Sequence, residues 1–171
     1  GACLADDMGL GKTLQGLAVI LSRCHEGPTL VIAPTSVCLN WGSEAERFAP
    51  SLQVKSFGSD NRQQLVDSLG AGDLLVCSYG LLQQLEVAEM LAELSWQTIV
   101  LDEAQSIKNP STKRSRAVMN LQGSFKVIMT GTPIENHLGE LWNLFKFINP
   151  GLLGSMDSFN LRFANPIERD Q

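Results

Sequence analysis

The chain has 171 residues, with 13 Lys and Arg against 18 Asp and Glu and a net charge of -5. Hydrophobic residues make up 44% and charged residues 18%, which excludes a disordered or polyelectrolyte chain and supplies a core without disulfides or metal. The acidic balance excludes a compact basic binder that holds nucleic acid by massed Lys and Arg on phosphates.

Short aliphatic runs alternate with longer amphipathic segments. Strands are expected at 1–5, 29–33, 52–57, 73–77, 97–101 and 125–129, and helices near 12–24, 36–48, 60–69, 80–93, 111–121 and 137–148. Most of the strand runs lack strict alternation, as strands covered on both faces do. The alternation predicts a three-layer α/β domain, with a mostly parallel central sheet and helices on both faces. The domain is expected over 1–150, and 151–171 as a C-terminal appendage whose packing partner lies outside this chain. The chain opens on Gly-Ala-Cys-Leu-Ala with no initiator Met and reads as a piece of something longer. The longest aliphatic stretch, Leu17 to Leu21, is far short of the ~20 residues needed to span a bilayer, so no membrane partner is expected. Cys3, Cys24, Cys38 and Cys77 are widely spaced and read as buried free thiols in a reducing cytosol.

Residues 6–13, Asp-Asp-Met-Gly-Leu-Gly-Lys-Thr, follow the first strand and open the first helix, the context a phosphate-binding loop requires. Gly9 and Gly11 let backbone N–H groups turn towards phosphate oxygens, and the helix N-terminus adds partial positive charge. Asp7, Met8, Gly9, Leu10, Gly11, Lys12, Thr13 and Leu14 are the candidate nucleotide-binding residues. Lys12 would reach the β/γ-phosphates and Thr13 would ligate Mg²⁺. Asp6 stands where the strict motif has Gly. The plain alternative is an ordinary Gly-rich turn.

Strand 97–101 runs straight into Asp102-Glu103-Ala104-Gln105. Strand C-terminal edges are where ligands sit in open parallel sheets. Asp102 is placed as the acid that holds Mg²⁺, and Glu103 as the group that orients or deprotonates the attacking water. The alternative is a helix cap.

Taken in order, LADDMGLGKT (4–13), VIAPTSVCLNW (31–41), VCSYGLL (76–82), VLDEAQSIKNP (100–110) and MTGTPIENHLGELWNLFKFINPG (129–151) resemble the Swi/Snf-type ATPases. These are helicase-like double-stranded DNA translocases of superfamily 2, built on RecA-like P-loop NTPase lobes. The resemblance covers nearly the whole chain. Within that family Asp at the first loop position is usual, so Asp6 fits. Gln105 stands where many members have His, and with segments 150–155 and 162–168 it resembles the bacterial branch.

The resemblance implies ATP and Mg²⁺ as ligands, with Lys12, Asp102, Glu103 and Gln105 as catalytic residues and Thr13 and Asp102 on the metal. It implies coupling by Thr130, Gly131 and Thr132, and DNA contacts from Pro34, Thr35, Ser36, Ser78 and Tyr79. It implies a first motor lobe that needs a second RecA-like lobe and an upstream adenine-recognising segment, duplex DNA as partner, an unidentified remodelled protein, and a bacterial cytosolic or nucleoid setting. A strand-separating RNA or DNA helicase and a non-hydrolysing nucleotide-binding scaffold are the competing readings. At -5 the lobe alone is not expected to bind DNA tightly.

Bland roles suit several remaining residues. Trp41 is expected in the core or a lobe contact, Trp142, Phe145 and Phe147 in packing, and His25 and His137 at the surface or in caps. Lys113, Arg114 and Arg116 read as a solvated helix face. For Lys108 and Asn109, a DNA or interlobe role and simple local hydrogen bonding stay open.

Overall fold

The computed structural model of the chain describes every residue except Met8, Ser59, Asn136, Asp170 and Gln171, with Arg169 described by its backbone alone. Among the described residues six strands, β1 (Ala2–Leu4), β2 (Thr29–Ala33), β3 (Gln53–Ser56), β4 (Asp73–Ser78), β5 (Ser95–Leu101) and β6 (Gln122–Met129), form one sheet in the order β1-β6-β5-β2-β4-β3. Every pairing is parallel. The expected architecture is therefore present, and the parallel character is complete.

Period-2 alternation divides the strand residues between two faces. Val31, Ala33, Val76, Val100, Val127 and Met129 meet α1 (Lys12–Arg23) and α2 (Thr35–Phe48) through Leu17, Ile20, Trp41 and Ala45. Leu30, Ile32, Leu75, Cys77, Ile99, Leu101 and Ile128 meet the other layer. That layer comprises α3 (Arg62–Asp67), α4 (Tyr79–Leu82), α5 (Leu85–Ala92), α6 (Lys113–Met119) and α7 (Leu138–Ile148). Both clusters consist of side chains almost wholly removed from water, and burying each large aliphatic side chain contributes roughly 1.5–3 kcal/mol.

Two expectations need adjusting. The helix expected at 80–93 is two helices, because Gln84 takes an extended conformation (φ -74°, ψ 126°). A continuous helix would put Leu82 and Val87 on different faces; the break re-aims Val87 and Leu91 at the core. The segment beyond 151 also has a partner within this chain. Its helical run, Met156–Phe159, a π-helical stretch Asn160–Ala164 and Asn165–Arg169, lies on α7. Phe159 and Ala164 are buried, Trp142 Nε1 donates to Gly154 O (3.1 Å), and Leu138 N donates to Glu168 Oε1 (2.8 Å). Leu152, Leu161, Phe163 and Ile167 remain exposed.

Candidate active site

The strand order assembles the site. β1, β6 and β5 are neighbours, so the turns after them lie side by side at one sheet edge: the glycine loop before α1, Thr130–Thr132, and Asp102–Glu103. β2 and β4 come next and present Pro34–Ser36 and Ser78–Tyr79 at the same edge. Sequence spacing leaves this order open; the strand pairings fix it.

Gly9 (φ 84°) and Gly11 (φ 74°) occupy the left-handed region, Gly11 as the residue that caps α1. A Cβ on either would meet nothing within 4 Å, so the backbone conformation requires glycine and the surrounding space does not. Asp6 Oδ2 accepts from Gln15 Nε2 (3.2 Å), which ties the loop's first residue to α1. Lys12 Nζ donates to the carbonyls of Asp6 (2.7 Å) and Asp7 (2.9 Å), so its ammonium lies over the loop. Met8 lies outside the described residues. Leu10 is exposed at the tip of the turn.

Gly9, Gly11, Lys12, Thr13, Asp102 and Glu103 line one cleft of about 420 Å³. Leu14 lines it too, and its far wall is α2, through Val37, Asn40, Glu44 and Phe48. That wall was not legible in the sequence, because it depends on how α2 lies beside α1 and over β4. A second cleft of about 400 Å³ brings together Asp7, Glu103, Gln105, Gly131 and Thr132. Glu103 belongs to both.

Asp102 is 5% exposed and held from all sides. Its Oδ2 accepts from Trp41 Nε1 (2.9 Å), its Oδ1 from Glu103 N (2.8 Å) and its carbonyl from the Tyr79 hydroxyl (2.8 Å). Burial raises its carboxyl above the usual range, while the two hydrogen bonds to the carboxylate pull the other way. A buried carboxylate in this state is a donor whose ionised form a cation stabilises. Among the described residues no cluster of three or more His, Cys, Asp or Glu could hold a metal. Thr13 and Asp102 alone, two protein oxygens on one cleft, suit Mg²⁺, which keeps several waters and takes the rest of its ligands from phosphates.

Glu103 has φ 48° and ψ 53°, a left-handed conformation that costs a non-glycine residue about 1 kcal/mol or more. It aims the carboxylate at the cleft. Gln105 Nε2 donates to Glu103 Oε2 (2.6 Å), and Thr130 Oγ1 donates to Gln105 Oε1 (2.8 Å). The chain of bonds continues. Thr132 N donates to Thr130 Oγ1 (3.1 Å), Thr132 Oγ1 bonds Glu135 Oε1 (2.8 Å), and Glu135 pairs with the Lys108 ammonium. The Lys108 bond holds the Glu135 carboxyl below its usual range. Lys108 is buried, 3.6 Å from Glu140 Oε2, and Glu135 N donates to the same oxygen (2.8 Å). Lys108 fastens the 130–135 loop to the turn after Asp102. Asn143 Nδ2 fastens α7 to the same turn by donating to Ile107 O (2.5 Å) and Ser115 Oγ (3.0 Å).

The predicted nucleic-acid contacts divide into two groups. Thr35 and Ser36 are exposed at the N-terminus of α2, with Pro34 half-buried before them. Ser78 and Tyr79 depart from the expectation. Ser78 Oγ accepts from Leu81 N (3.1 Å) as a helix cap, and Tyr79 is 3% exposed with its hydroxyl on Asp102 O. Their side chains face inwards. Trp41 is in the core as expected, and its indole N–H to Asp102 was missed. A buried indole needs an acceptor, but its sequence does not say which.

A glycine loop with Lys and Thr at a helix start, opposite paired carboxylates on a parallel strand edge, defines a P-loop nucleotide-binding domain. The family model of the SNF2-related domain matches residues 1–171, and the chain belongs to that family. It is 46% identical over 178 residues to a protein of Bacillus subtilis (strain 168) named "Putative ATP-dependent helicase/translocase YwqA". It is 39% identical to the chromatin-remodeling ATPase INO80 of Arabidopsis thaliana, with 96% of this chain matched. The Sulfolobus solfataricus SWI2/SNF2 ATPase core, solved in complex with dsDNA, superposes on 99% of this chain with a TM-score of 0.83 and 43% identity. The chain spans 19% of YwqA, 12% of INO80 and 36% of the solved core.

Proposed function

We propose that the chain is the first motor lobe of an ATP-dependent translocase on double-stranded DNA. The observation that carries this reading is the convergence of Lys12 and Thr13, Asp102 and Glu103, and the Gln105–Thr130 bond on one sheet edge. Pro34–Ser36 follows β2, the strand next to β5. The loop amides, the α1 N-terminus and Lys12 would hold the ATP phosphates. Thr13 and Asp102 would hold Mg²⁺, which when bound neutralises charge on the phosphates. Glu103 orients a water and takes its proton, with Gln105 fixing the carboxylate from behind. Thr130 and Thr132 carry the state of that carboxylate into the 130–135 loop.

Exposed hydroxyls and amides at the start of α2 suit a phosphate of one DNA strand, a contact that positions the duplex and reads no sequence. The rest of the motor, including a second lobe that closes on ATP, belongs to the remainder of the protein. Unpaired cysteines fit a reducing bacterial cytosol as its setting.

The test uses the full-length protein. Phosphate release stimulated by duplex, with triplex displacement and no strand separation, is the expected result. Strand separation without triplex displacement would favour the helicase reading. Tight nucleotide binding with no phosphate release on any DNA would favour the scaffold.

A further inference from the structure

Asp102 receives one buried donor from each of the two elements that begin at the proposed DNA edge. Trp41 lies in α2, the helix that starts with exposed Thr35 and Ser36; Tyr79 is the first residue of α4, directly after Ser78. Trp41 has no exposure and Tyr79 has 3%. Trp41 Nε1 holds the carboxylate at 2.9 Å and the Tyr79 hydroxyl holds the main chain of the same residue at 2.8 Å. The indole is confined further. A Cβ on Gly16 would lie 3.1 Å from Trp41 Cη2, so α1, the helix of the phosphate loop, is packed directly against it. Close-packed interiors transmit small shifts because they have no free volume to absorb them. A displacement of α2 or α4 therefore reaches Asp102 through a hydrogen bond, or breaks it.

We propose that Trp41 and Tyr79 are positioning residues that tie Asp102 to α2 and α4, the neighbouring helices that start at the edge where Thr35 and Ser36 would meet DNA, so that engaging duplex sets the metal-holding carboxylate and thereby the rate of ATP hydrolysis. This gives Tyr79 a role in the DNA response without touching DNA. It rests on the translocase reading above.

The test compares wild type, Tyr79→Phe and Trp41→Phe in the full-length protein. Tyr79→Phe removes a single oxygen, so it preserves folding even if Trp41→Phe does not. The measurements are duplex Kd against salt, the ratio of ATP turnover with and without saturating duplex, thermal midpoint, and amide exchange at 101–104 in nucleotide-free protein with and without duplex. The proposal expects the stimulation ratio to fall about 5-fold or more, with Kd and salt slope unchanged. It also expects wild type to show a duplex-dependent change in exchange that Tyr79→Phe loses.

Weaker duplex binding with a salt slope reduced by about one would instead make Tyr79 a phosphate contact and overturn the proposal. A lowered thermal midpoint with stimulation and exchange response intact would make both bonds purely structural and overturn it. Wild type that binds duplex with no change in turnover or exchange would overturn the translocase reading itself. A stimulated wild type with an equally stimulated Tyr79→Phe would overturn only the inference.

Discussion

Gln105 Nε2 donates to Glu103 Oε2 at 2.6 Å while its own carbonyl accepts from Thr130 Oγ1 at 2.8 Å. One amide therefore joins the proposed base to the loop after β6. An amide does this with fixed polarity, since its nitrogen can only donate and its oxygen only accept. Gln105→Ala removes both bonds and no side chain that lines the nucleotide cleft itself. Turnover is expected to fall about 10- to 100-fold with the KM for ATP little changed, because misplacing a catalytic group by about 1 Å costs that order. Steady-state kinetics of the full-length protein with duplex checks it, and a parallel rise in KM would show that Gln105 binds nucleotide.

Lys12 and Glu103 line the same cleft but are expected to fail differently. Glu103→Gln keeps the shape of the side chain and removes the base, so nucleotide binding should survive while phosphate release drops by about 10²–10⁴-fold. Lys12→Ala removes a charge on the phosphates and should weaken both. Equilibrium binding of a fluorescent ATP analogue beside single-turnover phosphate release separates the two. Normal hydrolysis by Glu103→Gln would remove Glu103 from the chemistry.

Lys108 sits buried between Glu135 and Glu140. Lys108→Met should cost about 3 kcal/mol, since it strips a buried carboxylate of its cation. Glu135→Gln, at an exposed partner, should cost far less. The Glu135 carboxyl is held below its usual range, so the pair stabilises the fold at neutral pH. That contribution is lost as pH falls through the lowered value. Urea unfolding at pH 7 and at pH 4 should show the gap between wild type and Lys108→Met narrowing in acid. An equal gap at both pH values would contradict the assignment.

Cys77 is buried, and burial with the nearby Cys38 pushes its thiol up to about 12. The folded chain should hold it neutral and unreactive at pH 8. Iodoacetamide followed by peptide mass spectrometry should label Cys3, Cys24 and Cys38, which are partly exposed, well before Cys77. In urea all four should react alike. The raised thiol also implies that stability contributed here is complete below the unfolded pKa of about 8.5 and declines as pH rises beyond it. Labelling of Cys77 as fast as the others would show that its strand opens readily.

Much of the molecule was legible in the residues themselves. Strand β2 falls at 29–33 as read, because a five-residue aliphatic run has only one way to be buried on both faces. The glycine loop and the Asp102–Glu103 pair declare themselves because their chemistry depends on immediate neighbours, a left-handed turn before a helix and two carboxylates at a strand end. Contacts between residues distant in sequence were not legible. Trp41 and Asp102 are 61 positions apart and Tyr79 and Asp102 are 23 apart, and nothing in either segment specifies the other. The resemblance implied DNA contacts for Ser78 and Tyr79, and nothing in their own segment signals that both side chains turn inwards; for Lys108, nothing nearby in sequence signals its partners Glu135 and Glu140. The residues alone place a glycine loop before a helix and two carboxylates after a strand, and their alternation of strand and helix predicts a mostly parallel sheet that would bring such turns to one edge. The order β1-β6-β5-β2-β4-β3 comes from pairings between segments far apart in the chain, with each sheet face covered by helices, and that order brings Asp102 beside the glycine loop and within hydrogen-bond reach of Trp41 in α2 and Tyr79 in α4.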